Sequence, residues 1–173
     1  MAELTKVYMT YNTNYKLNRL KEKYNNVNLN TVSMNDIVHE LSDKVNYVYV
    51  EELTELINAY NNRDINNMIE EIGDIYITSE MVEIKYALTV PIIKMLDVIS
   101  INPLADLLKE LQKSIKYFRG VLDDDEMVDS IIKVKGICRI LINNYKLNAK
   151  LIESWINIKK KRIVSNYLNN TMK

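Results

Sequence analysis

Between Val50 and Tyr76 the chain reads VEELTELINAY, NNRDINN, MIEEIGDIY, two acid-bearing apolar segments on either side of an Asn-rich spacer. On a helical wheel of about 100° per residue, Tyr49, Leu53, Leu56 and Tyr60 fill one apolar sector, with Val48 and Ala59 just beyond it. Glu52 falls inside that arc, Glu55 lies at its edge, and Glu51 points further toward the polar side. In the following segment Met68, Ile75, Val82 and Tyr86 form the apolar stripe. Glu71 adjoins it, and Asp74, Thr78 and Lys85 run alongside. Glu52/Glu55 and Glu71/Asp74 are each spaced i, i+3, so each pair shares a helix face. Like charges at that spacing repel by a few tenths of a kcal/mol even when exposed. Burying them without a partner costs several kcal/mol more.

Something must offset this cost, and the spacer supplies the geometry for it. A chain folded back near residue 64 makes an antiparallel αα-hairpin. Glu55 lies nine residues before that point and Glu71 seven after it; Glu52 lies twelve before and Asp74 ten after. At ~1.5 Å per residue each pair differs in height by only about 3 Å. Four carboxylates at nearly one level make an all-oxygen ligand set, which suits a hard cation such as Mg²⁺ or Mn²⁺. A di-iron bundle would need Glu-x-x-His pairs, and the single histidine, His39, cannot supply two. Zinc is disfavoured without Cys or His clusters. Most charge runs are solvated helix faces. Placement within apolar arcs, symmetric about a turn, sets this quartet apart.

Three Gly and two Pro leave few tight turns, so the chain reads as one all-α domain, 1–173, an antiparallel bundle of about six helices. Residues 1–30 read as a peripheral segment, a polar helix KLNRLKEKY (16–24) followed by the linker NNVNLN. A helix starts near Ser33 or Asn35 and either runs on to Tyr60 or breaks near Ser42–Asn46. Asp64 caps the next helix, expected over about Ile65 to Leu88, so that 33–88 is the metal-binding hairpin. Asn102-Pro103 opens a further helix, which Gly120 closes. The acidic patch Asp123–Glu126 caps a helix from about Met127 to Asn143. A basic C-terminal helix spans 149–168. Trp155, Tyr47, Tyr49 and Tyr76 read as core aromatics.

Lys+Arg and Asp+Glu both number 23, so no basic excess exists to drive general nucleic-acid binding. One cysteine, Cys138, cannot form an internal disulfide, which favours a reducing compartment. The polar N-terminus, with Glu3, lacks the apolar centre of a signal peptide. The greasiest run, 86–101, is interrupted by Pro91, Lys94 and Asp97, so no membrane span is expected. The expected setting is cytoplasmic.

E-E-x-x-E (Glu51, Glu52, Glu55), a spacer, then E-x-x-D (Glu71, Asp74) resembles the signature of the MazG-like all-α nucleoside triphosphate pyrophosphohydrolases. IEEIGDIYITSEMVEIKYAL is similar to the second motif helix of small bacterial and phage members. The resemblance is strong over about 36–88. It implies cleavage of (d)NTPs between the α- and β-phosphates, giving a monophosphate and pyrophosphate, an activity suited to nucleotide-pool house-cleaning. It implies Mg²⁺ held by Glu52, Glu55, Glu71 and Asp74, catalytic roles among Glu51, Glu52 and Glu55, and Glu51 or Glu55 as alternatives for orienting the attacking water. It also implies a homo-oligomer, dimer or tetramer. Asn157, Lys159 and Arg162 loosely resemble the family's C-terminal phosphate-binding pattern, and Lys85 is a further candidate for phosphate. The span 91–147 departs from the family's minimal pattern and reads as an inserted or lengthened helical pair. The competing expectation is a catalytically weak nucleotide- or protein-binding regulatory module that retains the metal site.

Overall fold

Side-chain caps fix where most helices begin. In a computed structural model that describes residues 2–171, and side chains over 10–170, seven α-helices and two 3-10 segments follow in order: α1 (Ala2–Tyr24), a 3-10 turn (Leu29–Thr31), α2 (Met34–Glu40), α3 (Ser42–Asn61), α4 (Ile65–Lys85), a 3-10 segment (Ile92–Asp97), α5 (Pro103–Phe118), α6 (Asp124–Tyr145) and α7 (Ala149–Thr171). Ser33, Asp64, Asn102 and Asp123 each accept a hydrogen bond from a backbone N–H of the first turn of α2, α4, α5 and α6, satisfying donors that the helix itself leaves free. Asp64 and Asn102 were legible as caps, Ser33 as one of two candidates with Asn35, and Asp123 only as part of the acidic patch before a helix expected from Met127. The described residues form no strand, and no helix among them is long and apolar enough to cross a membrane.

Helix ends were less legible. α3, α4, α5 and α6 close in the same way, with a left-handed residue after the last turn: Arg63 (φ 54°), Ala87 (φ 53°), Gly120 (φ 80°) and Lys146 (φ 50°). The following N–H in each case reaches back five residues: Asp64 to Ala59, Leu88 to Glu83, Val121 to Lys116, and Leu147 to Ile142. This is the Schellman closure, normally given to glycine. Only Gly120 announces it. The helix expected to reach Leu88 therefore stops at Lys85, because Ala87 takes the left-handed turn. The break expected near Ser42–Asn46 falls at Leu41, whose backbone (φ −95°, ψ 12°) leaves the helix for one residue.

The α3/α4 hairpin stands at the centre. α7 packs on α4 and α1 on both α7 and α4, while α5 packs on α3 and α6. Leu53, Leu56, Met68, Ile72 and Ile75 are fully buried along the hairpin. The N-terminal segment expected to be peripheral is instead a long helix integrated into the bundle. It buries Leu17 and Tyr24, and its polar residues do the docking: the Thr13 N–H donates to Asn66 Oδ1 at 3.1 Å, and Lys16 Nζ to Glu70 at 2.8 Å. An attachment made through hydrogen bonds leaves little hydropathy pattern to read. The helical pair expected within 91–147 is α5 and α6, preceded by the 3-10 segment, which lies on α6.

That last contact depends on Gly136. A Cβ there would sit 2.4 Å from Val98 Cβ, an atom fixed to the backbone that cannot swing aside. Gly136→Ala is expected to push the 3-10 segment off α6 at about 1–3 kcal/mol, lowering the thermal midpoint by roughly 3–8 °C. An unchanged midpoint in a calorimetric scan would contradict the contact.

Candidate metal centre

Each acidic doublet splits. On α3, Glu51 is exposed to solvent while Glu52 turns toward α4 and is half-buried. On α4, Glu70 is buried and taken up by α1, its oxygens accepting from Lys16 Nζ (2.8 Å) and Thr13 Oγ1 (3.2 Å). Glu71, the next residue, points to the α3 side. One carboxylate oxygen from each of Glu52, Glu55 and Glu71 lies within 4.8 Å of the others. Glu52 Oε2 and Glu71 Oε2 are buried without any hydrogen-bond partner. No ion pair joins the three to a Lys or Arg among the described residues.

Asp74 does not complete a quartet. It is buried against α7, where Oδ1 accepts from Trp155 Nε1 at 3.0 Å and Oδ2 stands 3.7 Å from Lys159 Nζ. Height along the hairpin put Asp74 level with Glu52, but its direction around α4 is set by α7, an element the hairpin arithmetic ignores. Gly73 is what lets α7 come so near. A Cβ at that position would lie 2.7 Å from Trp155 Cδ1. The glycine beside Asp74 was the one sequence signal for this partner, and Trp155, read only as core, was missed as the donor to Asp74.

The electrostatics follow from burial and crowding. Burial raises the Glu71 carboxyl to about 10, and the neighbouring Glu52, Asp74 and Glu55 add to the rise. Burial also raises Glu52, to about 7; its neighbour Glu71 and Lys159 oppose that, while Asp74 and Glu55 reinforce it. Asp74 is raised by burial, against the pull of Lys159 and Trp155. One carboxylate oxygen from each of three residues in close reach is a donor set that suits a hard divalent cation. Glu52, Glu55 and Glu71 are the residues that could hold one.

A groove of about 300 Å³ at the turn end of the hairpin is lined by Glu55 and Glu71 with Asn58, Asn62, Asp64 and Asn67, and two more share Lys159 and Arg162. One, of about 410 Å³, runs between α3 and α7 over α4. Its lining includes the charged Glu52, Asp74, Lys159 and Arg162 and the apolar Leu41, Ile77, Met81 and Ile163. The second, of about 300 Å³, lies between α1 and α7, where Lys16 and Arg19 meet Trp155, Lys159 and Arg162. Lys159 and Arg162 thus form the lip between the two. Asn157 is exposed on α7 and lines neither groove. Lys85 is held elsewhere, its Nζ donating to the Ser42 carbonyl (2.7 Å) and Asn46 Oδ1 (3.3 Å), so the structure does not bring it to the acids. His39 is exposed, and Cys138 is buried. No family model matches the chain, and neither a curated protein nor a solved structure matches it.

The raised carboxyls give the cation-free protein a definite pH response. Glu52 and Glu71 bind protons more tightly folded than unfolded, so from the ordinary carboxylate range up to about 7 for Glu52 and about 10 for Glu71 the folded chain carries the extra protons. Stability is therefore highest at low pH and falls as pH rises through that window. In EDTA the thermal midpoint should drop by a few degrees from pH 5 to pH 8. Glu71→Gln should flatten the drop and be the more stable form at pH 8. A flat wild-type profile, or the same slope in the variant, would refute the assignment.

Proposed function

We propose that the chain is a divalent-cation-dependent hydrolase of nucleoside triphosphates, cutting between the α- and β-phosphates to release a monophosphate and pyrophosphate. The observation that carries this reading is the trio Glu52, Glu55 and Glu71, with a buried oxygen on Glu52 and on Glu71 lacking any partner, beside a groove lined both by Lys159 and Arg162 and by apolar side chains. The motif resemblance over 36–88 points the same way. Glu52, Glu55 and Glu71 would hold Mg²⁺, with Mn²⁺ also suited to the oxygen set and Asp74 at its edge. Bound there, the cation supplies charge neutralisation and lowers the pKa of a coordinated water.

The chain's own residues do the rest. Phosphoryl transfer asks mainly for positioning and charge stabilisation. Glu55, exposed at the rim of the trio, is placed to orient the attacking water; Glu51 faces solvent away from it. Lys159 and Arg162 stand where the outgoing pyrophosphate would need cations. Leu41, Ile77, Met81 and Ile163 offer an apolar surface for the nucleoside. The lone buried cysteine suits a reducing cytoplasm.

A second reading, a nucleotide-binding regulatory module with weak turnover, is favoured by one observation: Asp74, expected in the ligand set, is already engaged by Trp155 and Lys159. Incubating the protein with Mg²⁺ and a panel of NTPs and dNTPs separates the two. The hydrolase reading expects monophosphate and pyrophosphate from at least one member, and a loss of at least about 100-fold in turnover for Glu52→Gln and for Glu71→Gln. Nucleotide binding without turnover favours the module; turnover that survives both substitutions sinks the mechanism. Arg162→Ala is expected to raise KM about tenfold, the scale of one charge-assisted hydrogen bond, with a smaller effect on kcat. A kcat loss alone would place Arg162 outside ground-state phosphate binding.

A further inference from the structure

Two basic pairs stand across from each other as the acidic ones do. Lys16 and Arg19 on α1, and Lys159 and Arg162 on α7, are each spaced i, i+3, so each pair shares a helix face. α1 packs against α7, and both pairs line one groove of about 300 Å³ together with Leu20 and Trp155. Two of these cations are tethered by acids removed from water. Lys16 Nζ donates to Glu70 Oε1 at 2.8 Å, and Lys159 Nζ stands 3.7 Å from Asp74 Oδ2; Glu70 and Asp74 are only 4% and 8% exposed. The arginines have no such partner. Neither Arg19 nor Arg162 forms an ion pair among the described residues, and both are exposed. Arg19 Nη1 donates to the Tyr15 hydroxyl at 2.9 Å, which uses one guanidinium donor and leaves the rest.

The walls of this groove are fixed by contacts of their own. α1 is tied to α4 through Thr13 and Lys16, and its exit to α7 through Lys161 Nζ, which donates to the Asn25 carbonyl at 2.8 Å. Trp155 is held by Asp74 and carries Lys159 over its ring at 5.4 Å. Four cations converging on one concave site repel one another, and solubility alone asks for no such convergence. A compact anion of several charges relieves the repulsion. Arginine suits it, because the planar fork matches phosphate oxygens in pairs. A single carboxylate or monophosphate would leave most of the cations unanswered. A nucleic acid does not suit the groove: its volume is at the lower end of the ~300–1,000 Å³ of small-molecule sites, and 23 Lys+Arg are balanced by 23 Asp+Glu over the chain. Lys159 and Arg162 also line the groove that holds Glu52, so a chain of phosphates starting at the acids crosses their lip into this one.

We propose that the α1/α7 groove is a condensed-phosphate site, in which Arg19 and Arg162 grip a pyrophosphate unit while Lys16 and Lys159 balance its charge. α1, which lies outside the span of the motif resemblance, supplies half of the cations. Only the source of the phosphates rests on the hydrolase reading: on that reading the unit is the β- and γ-phosphates of the substrate. Titrating sodium pyrophosphate into the EDTA-treated protein at fixed ionic strength tests the site without turnover. The fluorescence of Trp155, the single tryptophan and part of the groove wall, reports binding. With no cation present the acid trio repels the anion, so a saturable change belongs to the groove. Pyrophosphate should saturate it, with inorganic phosphate at least about tenfold weaker. Arg19→Ala and, on the other wall, Arg162→Ala should each lose about tenfold in affinity, the scale of one charge-assisted hydrogen bond, with unchanged circular dichroism. Lys109→Ala, an exposed lysine on α5, should bind as the wild type does. No saturable binding by fluorescence or calorimetry, an equal response to inorganic phosphate, or full affinity in both arginine variants would overturn the proposal. Competition by an α,β-methylene nucleoside triphosphate separates nucleotide from free pyrophosphate as the source, and either source keeps the site. Arg19-dependent binding in a protein that turns over no nucleotide keeps the site and removes the hydrolase reading; turnover with a groove indifferent to both arginines does the opposite.

Discussion

Glu52 and Glu71, each half-buried with one carboxylate oxygen enclosed and without a hydrogen-bond partner, face each other across the central hairpin. Burying such groups unpaired is among the more expensive things a fold can do. It is tolerated here because the rest of the α3/α4 hairpin is well packed, with Leu53 and Leu56 on one helix and Met68, Ile72 and Ile75 on the other fully removed from water. The acids are held in register by apolar neighbours one turn away, not by cations. A surface that served only solubility would have let them rotate outward, as Glu51 does.

The flanking helices keep that site free of competitors. α1 takes Glu70 through Lys16 and Thr13, so its neighbour Glu71 is left for α3. α7 takes Asp74 through Trp155, an approach that only a glycine at position 73 permits. Lys159 is drawn to Asp74 and lies over the Trp155 ring, which brings it beside the acids without placing it within ion-pairing distance of the trio. The outcome is a cluster of negative charge with cations at its rim, a division suited to holding a divalent ion and, next to it, an anionic chain of phosphates.

Much of this was legible in the sequence, for physical reasons that can be named. Asp64 and Asn102, with Ser33 as one of two candidates, announce helix starts because short polar side chains satisfy first-turn N–H groups. The level of Glu52, Glu55 and Glu71 follows from the rise per residue and the position of the turn. The direction of Asp74 did not follow, because it depends on α7, eighty residues on. The left-handed closures at Arg63, Ala87 and Lys146 escaped because nothing in those side chains asks for that backbone. α1 was underestimated because its docking is polar. Lys85 looked like a ligand-facing cation only because its stripe runs past Asp74; it reaches instead for the Ser42 carbonyl.

If Glu52, Glu55 and Glu71 hold a cation, the raised carboxyls of Glu52 and Glu71 must give up protons as it binds. Calorimetric titration of Mg²⁺ at pH 7, in two buffers of different ionisation enthalpy, tests it directly. The account predicts saturable binding with release of about one proton per ion, because the raised carboxyls must ionise to coordinate. Absence of saturable binding, or equal affinity and proton release in Glu71→Gln, would contradict it.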